Sequence, residues 1–190
     1  MRVLVVPLTL LVLTCAGCSG GSTPADGAGS TGPPRSEPTT GQESITVTSS
    51  DFTDGTPLDQ SLSCDGPGLS PSLAWDGVPA SAQSLALVVA DPDAPGATYY
   101  HWLVVDIPAT VDHVAAGHSP IGGIEETNSA GRLGYTPPCP PSGVHRYRFT
   151  LYALAKPTGL QIGTDVTTTI DAIATRAIAS GTLVGTYSRG

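Results

Sequence analysis

Four side chains in this sequence carry hydrogen-bonding or titratable chemistry at places where the chain changes direction: Asp91, His101, His145 and Tyr147. Asp91 opens the stretch Asp91-Pro92-Asp93-Ala94-Pro95-Gly96, and His101 stands in Tyr99-Tyr100-His101-Trp102 shortly after it. His145 and Tyr147 follow a Gly/Pro loop that includes Pro137-Pro138-Cys139-Pro140-Pro141. They are two residues apart, so in a strand both point to one face. A protonated imidazole donates from both ring nitrogens, and a phenol adds a neutral donor, a set suited to an anion. An Asp91 carboxylate beside His101 would favour the charged ring and raise its pKa. Glycines in the flanking loops let backbone N–H groups approach an anion's oxygens.

Other chemistries fit less well. Two histidines and an aspartate could ligate a divalent metal, but no supporting set of partners accompanies them, and neither a metal nor a cofactor is expected. A Ser–His–Asp hydrolase lacks its Gly-x-Ser-x-Gly elbow, and Ser142 has no evident base, so the sequence is not read as an enzyme. Strand alternation sends Arg146 to the face opposite His145, where an ion pair suits it better than a ligand. Asp93 and Trp102 read as structural, and His113 and His118 as solvated loop residues.

The elements that must position these groups are mostly strands. Period-two alternation and β-branched runs mark Ile45–Thr48, Ser84–Ala90, Tyr100–Ile107 and His145–Leu154. In the last of these, Tyr147, Phe149, Leu151 and Ala153 share one face, and Arg146, Arg148 and Thr150 the other. A hairpin between the second and third strands would bring Asp91 and His101 to one sheet end. Prolines fill the gaps as turns. Ile170, Ile173, Ala177 and Ile178 predict a helix over Thr167–Ala179, capped by Asp165 or a nearby Thr and stopped by Gly181. A final strand is expected over Thr182–Tyr187.

The first 44 residues read differently. Arg2 precedes an apolar run, Val3–Leu13, that is too short for a permanent membrane span and reads as the core of a signal peptide, residues 1–17. Ala16-Gly17-Cys18 resembles a bacterial lipobox, which makes Cys18 the expected lipidation site. Cys15 is the poorer alternative, because Thr is less usual than Gly before the cleaved bond. Residues 18–44 would then be a lipidated cysteine followed by a Gly/Ser/Thr/Pro linker too polar to fold. Such a tether spans on the order of 25–30 Å. The implied location is the outer face of a bacterial cytoplasmic membrane. The chain carries a net charge of −8 and a single lysine, Lys156, which excludes nucleic acid as a partner and leaves the lipid as the membrane contact. Cys64 and Cys139 are the cysteines left in the domain; in an exported protein they form either a disulfide or two small buried thiols.

Asp-Pro-Asp-Ala-Pro with a following His-Trp, then Pro-Cys-Pro-Pro and Gly-x-His-Arg-Tyr, resemble the two signature segments of the phosphatidylethanolamine-binding (Raf kinase inhibitor-like) family, its bacterial branch above all. Ser63-Cys64-Asp65-Gly66, Ser70-Pro71-Ser72-Leu73-Ala74-Trp75 and Leu183-Val184-Gly185-Thr186-Tyr187 extend the resemblance over residues 45–190. It implies a mainly β, two-sheet antiparallel fold with a C-terminal helix and a small anion pocket at one end of the strands. By motif position Asp91, His101, Pro140, Pro141, His145 and Tyr147 would line that pocket. The ligand would be a small anion or a phospholipid head group; a protein partner, such as a protease to be inhibited, is the alternative. The sequence departs from the family at Asn128-Ser129-Ala130-Gly131, where bacterial members carry an Asp-Phe-Gly-like step, and in the short Pro95–His101 connection. Both stretches would rim the pocket and bear on ligand size.

Overall fold

The computed structural model describes residues 44–189. The signal peptide, the lipidation site Cys18 and nearly all of the linker expected from the sequence lie outside that range. The elements run β1 (Thr46–Thr48), β2 (Leu73–Asp76), β3 (Ser84–Asp91), β4 (Tyr99–Pro108), β5 (His113–Val114), β6 (Ile124–Glu125), β7 (Val144–Leu154), α1 (Val166–Ala174) and β8 (Ala177–Ser188). They form a three-stranded sheet, β1-β2-β5, and a five-stranded sheet, β6-β4-β3-β7-β8, in which neighbouring strands are antiparallel.

β3 is the centre of the larger sheet, and its sequence says why. Leu85, Leu87 and Val89 face the smaller sheet, while Ala86 and Val88 face α1, so the strand is buried on both sides and apolar at nearly every position. Between the two sheets lies the main core, where Val47, Leu73 and Trp75 meet Leu87, Trp102, Phe149 and Leu151. α1 closes the other face through Ile173, with Val166 and Ile170 beside it. β7 keeps the predicted alternation: Tyr147, Phe149, Leu151 and Ala153 are fully buried in the main core.

Asp165 caps α1, accepting from the Thr168 N–H, as the sequence allowed. The expected extent of the helix is corrected. It stops at Ala174, and Ala177, Ile178 and Ala179 begin β8, pairing with Leu154 and Ala153 of β7. Those three residues fit either period; joining the edge of a long ladder satisfies their backbone groups and extends the main sheet. Gly181 is therefore not a helix stop. It sits within β8 where a Cβ would run into the Ile45 carbonyl, so glycine lets the start of the smaller sheet cross close to the larger one. β2, β5 and β6, short strands absent from the sequence reading, complete the two sheets.

Residues 54–58 also run along β8. The Gly55 and Leu58 N–H groups donate to the Val184 and Thr186 carbonyls, the Thr186 N–H donates to the Thr56 carbonyl, and Asp54 accepts from the Val184 N–H.

Candidate functional site

Alternation along β3 puts Asp91 on the same face as Val89 and Leu87, pointing into the main core at the end of the strand. Asp91 pairs with Tyr99 across the hairpin, which brings β4 back to the same sheet end. His101 does not follow simple alternation. Val89 pairs with Trp102 and Ala90 with Tyr100, so His101 is the extra residue of a β-bulge. A bulge re-aims a side chain, and here it leaves both His101 and Trp102 buried at this end of the sheet. From β7, His145 and Tyr147 lean in from the neighbouring strand.

The hydrogen bonds correct one pairing expected from the sequence. Asp91 holds His145, not His101: its Oδ2 lies 2.7 Å from His145 Nδ1, and its Oδ1 accepts from the Asp93 N–H at 2.8 Å. His101 Nδ1 instead lies 2.7 Å from the Thr136 carbonyl oxygen. The expected rise in the His101 pKa is also reversed. Burial pushes it below the ordinary value, and the Thr136 carbonyl and Asp91 oppose that only in part. Sequence distance favoured a His101–Asp91 pair, whereas the sheet order places β7 directly beside β3.

These contacts fix the ring tautomers. A carbonyl and a carboxylate only accept, so Nδ1 carries the hydrogen in both rings, and each neutral ring offers its Nε2 as a lone pair. Tyr147 supplies the third group. Its hydroxyl is buried without a protein partner, and its ring packs edge-on against His101 with centroids 5.2 Å apart. Burial, aided by Asp91, pushes the phenol pKa upward, so it stays a donor.

The fourth wall is the loop before β7. The Thr136 N–H donates to the His101 carbonyl, the Cys64 N–H donates to the Pro138 carbonyl, and Cys64 and Cys139 form a disulfide with Cα atoms 5.4 Å apart. Asn128 bonds the Gly134 carbonyl and the Thr136 hydroxyl, bracing the same loop. Asp93 completes the frame by accepting from the Arg146 backbone N–H and from Nε and Nη2 of its guanidinium, on the outside of the sheet. Arg146 is thus an ion-pair residue turned away from the site.

Together these elements enclose a cavity of about 260 Å³. Asp91, His101, Pro140, Pro141, His145 and Tyr147 all line it, so the residues singled out from the sequence converge on one space. Asp91, His101 and His145 are 3%, 5% and 6% exposed, deep enough for electrostatic interactions to be stronger than in water. Sequence reasoning missed Tyr99, Thr136 and Pro137, which also line the cavity. Tyr99 stacks obliquely on His101 at 4.7 Å, and its position opposite Asp91 in the hairpin was the available signal. His113 pairs with Asp112 at the surface, and His118 is exposed. Among the described residues, no cluster of three or more His, Cys, Asp or Glu has metal-site geometry.

A family model described as phosphatidylethanolamine-binding protein matches residues 48–188. A UPF0098 protein of Methanothermobacter thermautotrophicus is 41% identical over 144 residues, covering 73% of this chain and 95% of the relative. A Mycobacterium tuberculosis protein named "Putative lipoprotein LppC" is 41% identical over 184 residues, 93% of this chain and 91% of its own length. The crystal structure of Escherichia coli YbcL, presented as a new member of the mammalian PEBP family, superposes with a TM-score of 0.73 at 31% identity, covering 77% of this chain and 99% of YbcL.

Proposed function

The chain belongs to the phosphatidylethanolamine-binding protein family, and from that premise we propose that it is a non-enzymatic binding protein whose cavity takes a small anion, a phosphate or the phosphodiester of a lipid head group. The observation that carries this reading is the buried Tyr147 hydroxyl, a donor with no protein partner, in a cavity also lined by the two imidazoles. An orphaned buried donor is costly, and an anionic oxygen would satisfy it. Protonation of His101 or His145 turns its Nε2 from acceptor to donor, which gives the anion two or three convergent donors. Asp91 contributes by holding the His145 ring in place through Nδ1.

The similarity to a protein named as a lipoprotein, together with the Ala16-Gly17-Cys18 sequence, supports attachment through a lipid on Cys18 at the outer face of the bacterial cytoplasmic membrane. Metabolic labelling with a clickable fatty acid checks that point: Cys18→Ala abolishes incorporation if it is right. Binding is tested by calorimetry with inorganic phosphate, phosphoethanolamine and dimethyl phosphate. Saturable binding that weakens at least about tenfold in Tyr147→Phe and His145→Ala is expected. Absence of binding by all three anions, or affinity unchanged in both variants, defeats the proposal.

A further inference from the structure

A second cavity, of about 300 Å³, adjoins the first along the chain: Trp102 and Gly134-Tyr135 line it, where His101 and Thr136-Pro137 line the other. Its chemistry is opposite. Glu125, at the end of the short strand β6, presents a carboxylate whose Oε1 accepts from the Trp102 indole N–H at 3.2 Å and from the Ser119 hydroxyl. Among the described residues, its hydrogen bonds fall on Oε1 and none on Oε2. No lysine, arginine or histidine among the described residues pairs with this carboxylate. Beside it, Trp102 and Tyr135 meet edge to face with ring centroids 5.8 Å apart.

Two features keep the free oxygen open. Gly134 has φ +81°, a left-handed conformation that glycine adopts without strain, and a Cβ there would stand 3.3 Å from Oε2. On the opposite side the wall is the Gly117-His118-Ser119 turn, whose residues are exposed and whose Gly117 is also left-handed. A fixed, unpaired carboxylate in a partly aromatic recess is complementary to a cation that donates hydrogen bonds. The recess is wide enough for an alkylammonium group, and the indole and hydroxyl donors already orient the carboxylate, so little ordering accompanies binding.

We propose that this second cavity is a site for a primary ammonium group, held by Glu125 Oε2 against Tyr135 and Trp102. Free alkylamines and the lysine side chain of a peptide share that chemistry. The site is independent of the anion cavity and does not rest on the function proposed for it.

The chain has only two tryptophans, and the Trp102 indole N–H bonds directly to Glu125, which makes its proton–nitrogen NMR signal the readout. Trp75→Phe assigns the signal. The full chain in mild detergent is titrated with n-butylammonium chloride, N-acetyl-lysine methylamide, tetramethylammonium chloride and potassium chloride. A saturable shift with the first or second, and a response at least about tenfold weaker to tetramethylammonium, which has no N–H, is expected. A stronger response to the lysine derivative assigns the site to a peptide, and a stronger response to n-butylammonium assigns it to a free amine. Glu125→Gln keeps an acceptor for the indole but loses the charge, and abolishes the shift. Gly134→Asn, a residue that adopts the left-handed conformation more readily than most, covers Oε2 and does the same with Glu125 left in place. His145→Ala leaves the titration unchanged. A titration with no saturable shift from either amine, equal responses to all four salts, or binding retained in both Glu125→Gln and Gly134→Asn overturns the proposal.

Discussion

Lowering the pH is the perturbation that most directly tests the chemistry assigned to the anion cavity. His101 Nδ1 is taken by the Thr136 carbonyl, so a neutral His101 ring faces the ligand with Nε2 as an acceptor. An anion therefore binds with uptake of a proton. Burial holds the His101 pKa below its ordinary 6.5, so at pH 7.5 that ring is neutral before binding, and a bound anion must draw the proton in. Linkage then sets the slope: one proton taken up raises the affinity about tenfold for each pH unit of acidification, until the free ring itself begins to charge. From about pH 7.5 to about pH 5.5 the gain should lie between roughly tenfold and a hundredfold, the upper figure being about 2.7 kcal/mol. Inorganic phosphate titrates in this range and would confuse the reading; dimethyl phosphate or sulfate keeps a constant charge. Calorimetry in two buffers of different ionisation enthalpy counts the protons directly. In His101→Asn, whose amide can still donate to the Thr136 carbonyl, the gain should shrink. The unliganded protein should respond in the opposite sense. A folded-state pKa held below the unfolded one contributes stability above about pH 6.5, and this is lost as the pH falls through the folded value. An affinity independent of pH, with heats that do not vary between buffers, would refute the proton-coupled mechanism.

Other consequences can be checked with single substitutions. Replacing Cys64 and Cys139 by serine opens a crosslink between residues 75 apart in sequence, and should lower stability by about 4 kcal/mol on the chain-entropy scale, read as a lower urea midpoint. Gly181→Ala drives a methyl into the Ile45 carbonyl and should destabilise the domain by about 3 kcal/mol, again by urea unfolding. Arg146→Ala breaks a solvent-screened pair with Asp93 and should leave anion affinity within about twofold by calorimetry, since the guanidinium faces away from the cavity.

The long strands were legible because each carries a pattern that only burial explains: β3 apolar from Leu85 to Ala90, β7 alternating from His145 to Ala153. His145 and Tyr147 could be placed on one face from that alternation alone, and a hairpin put Asp91 and His101 at one sheet end; that the two pairs share a pocket was implied only by the family resemblance, and the structure lines one cavity with all four and with Pro140 and Pro141. The pairing within the site was not legible. Which histidine Asp91 holds depends on β7 lying next to β3, a long-range fact, and on a bulge at His101 that no local signal marks. Leu73 and Trp75 alternate with Ala74 and Asp76, so β2 had a signal, but four residues between turns are too few to stand out. At the end of α1, helical and strand periods coincide over Ala177–Ala179, and pairing with β7 decides between them. The Glu125 recess had no sequence signature, because Trp102, Gly134 and Glu125 come from three separate segments.

The segment 54–58 that runs along β8 has a consequence for contacts between copies of the domain. β8 is the last strand of the larger sheet, and an uncovered strand of its length would offer a ladder of free amides and carbonyls to any identical neighbour. The Gly55 and Leu58 N–H groups donate to part of that ladder and the Asp54 carboxylate accepts from it, and at the far border of the sheet β6 is only two residues long. Among the described residues the larger sheet thus leaves no long open border on which an identical domain could add a strand.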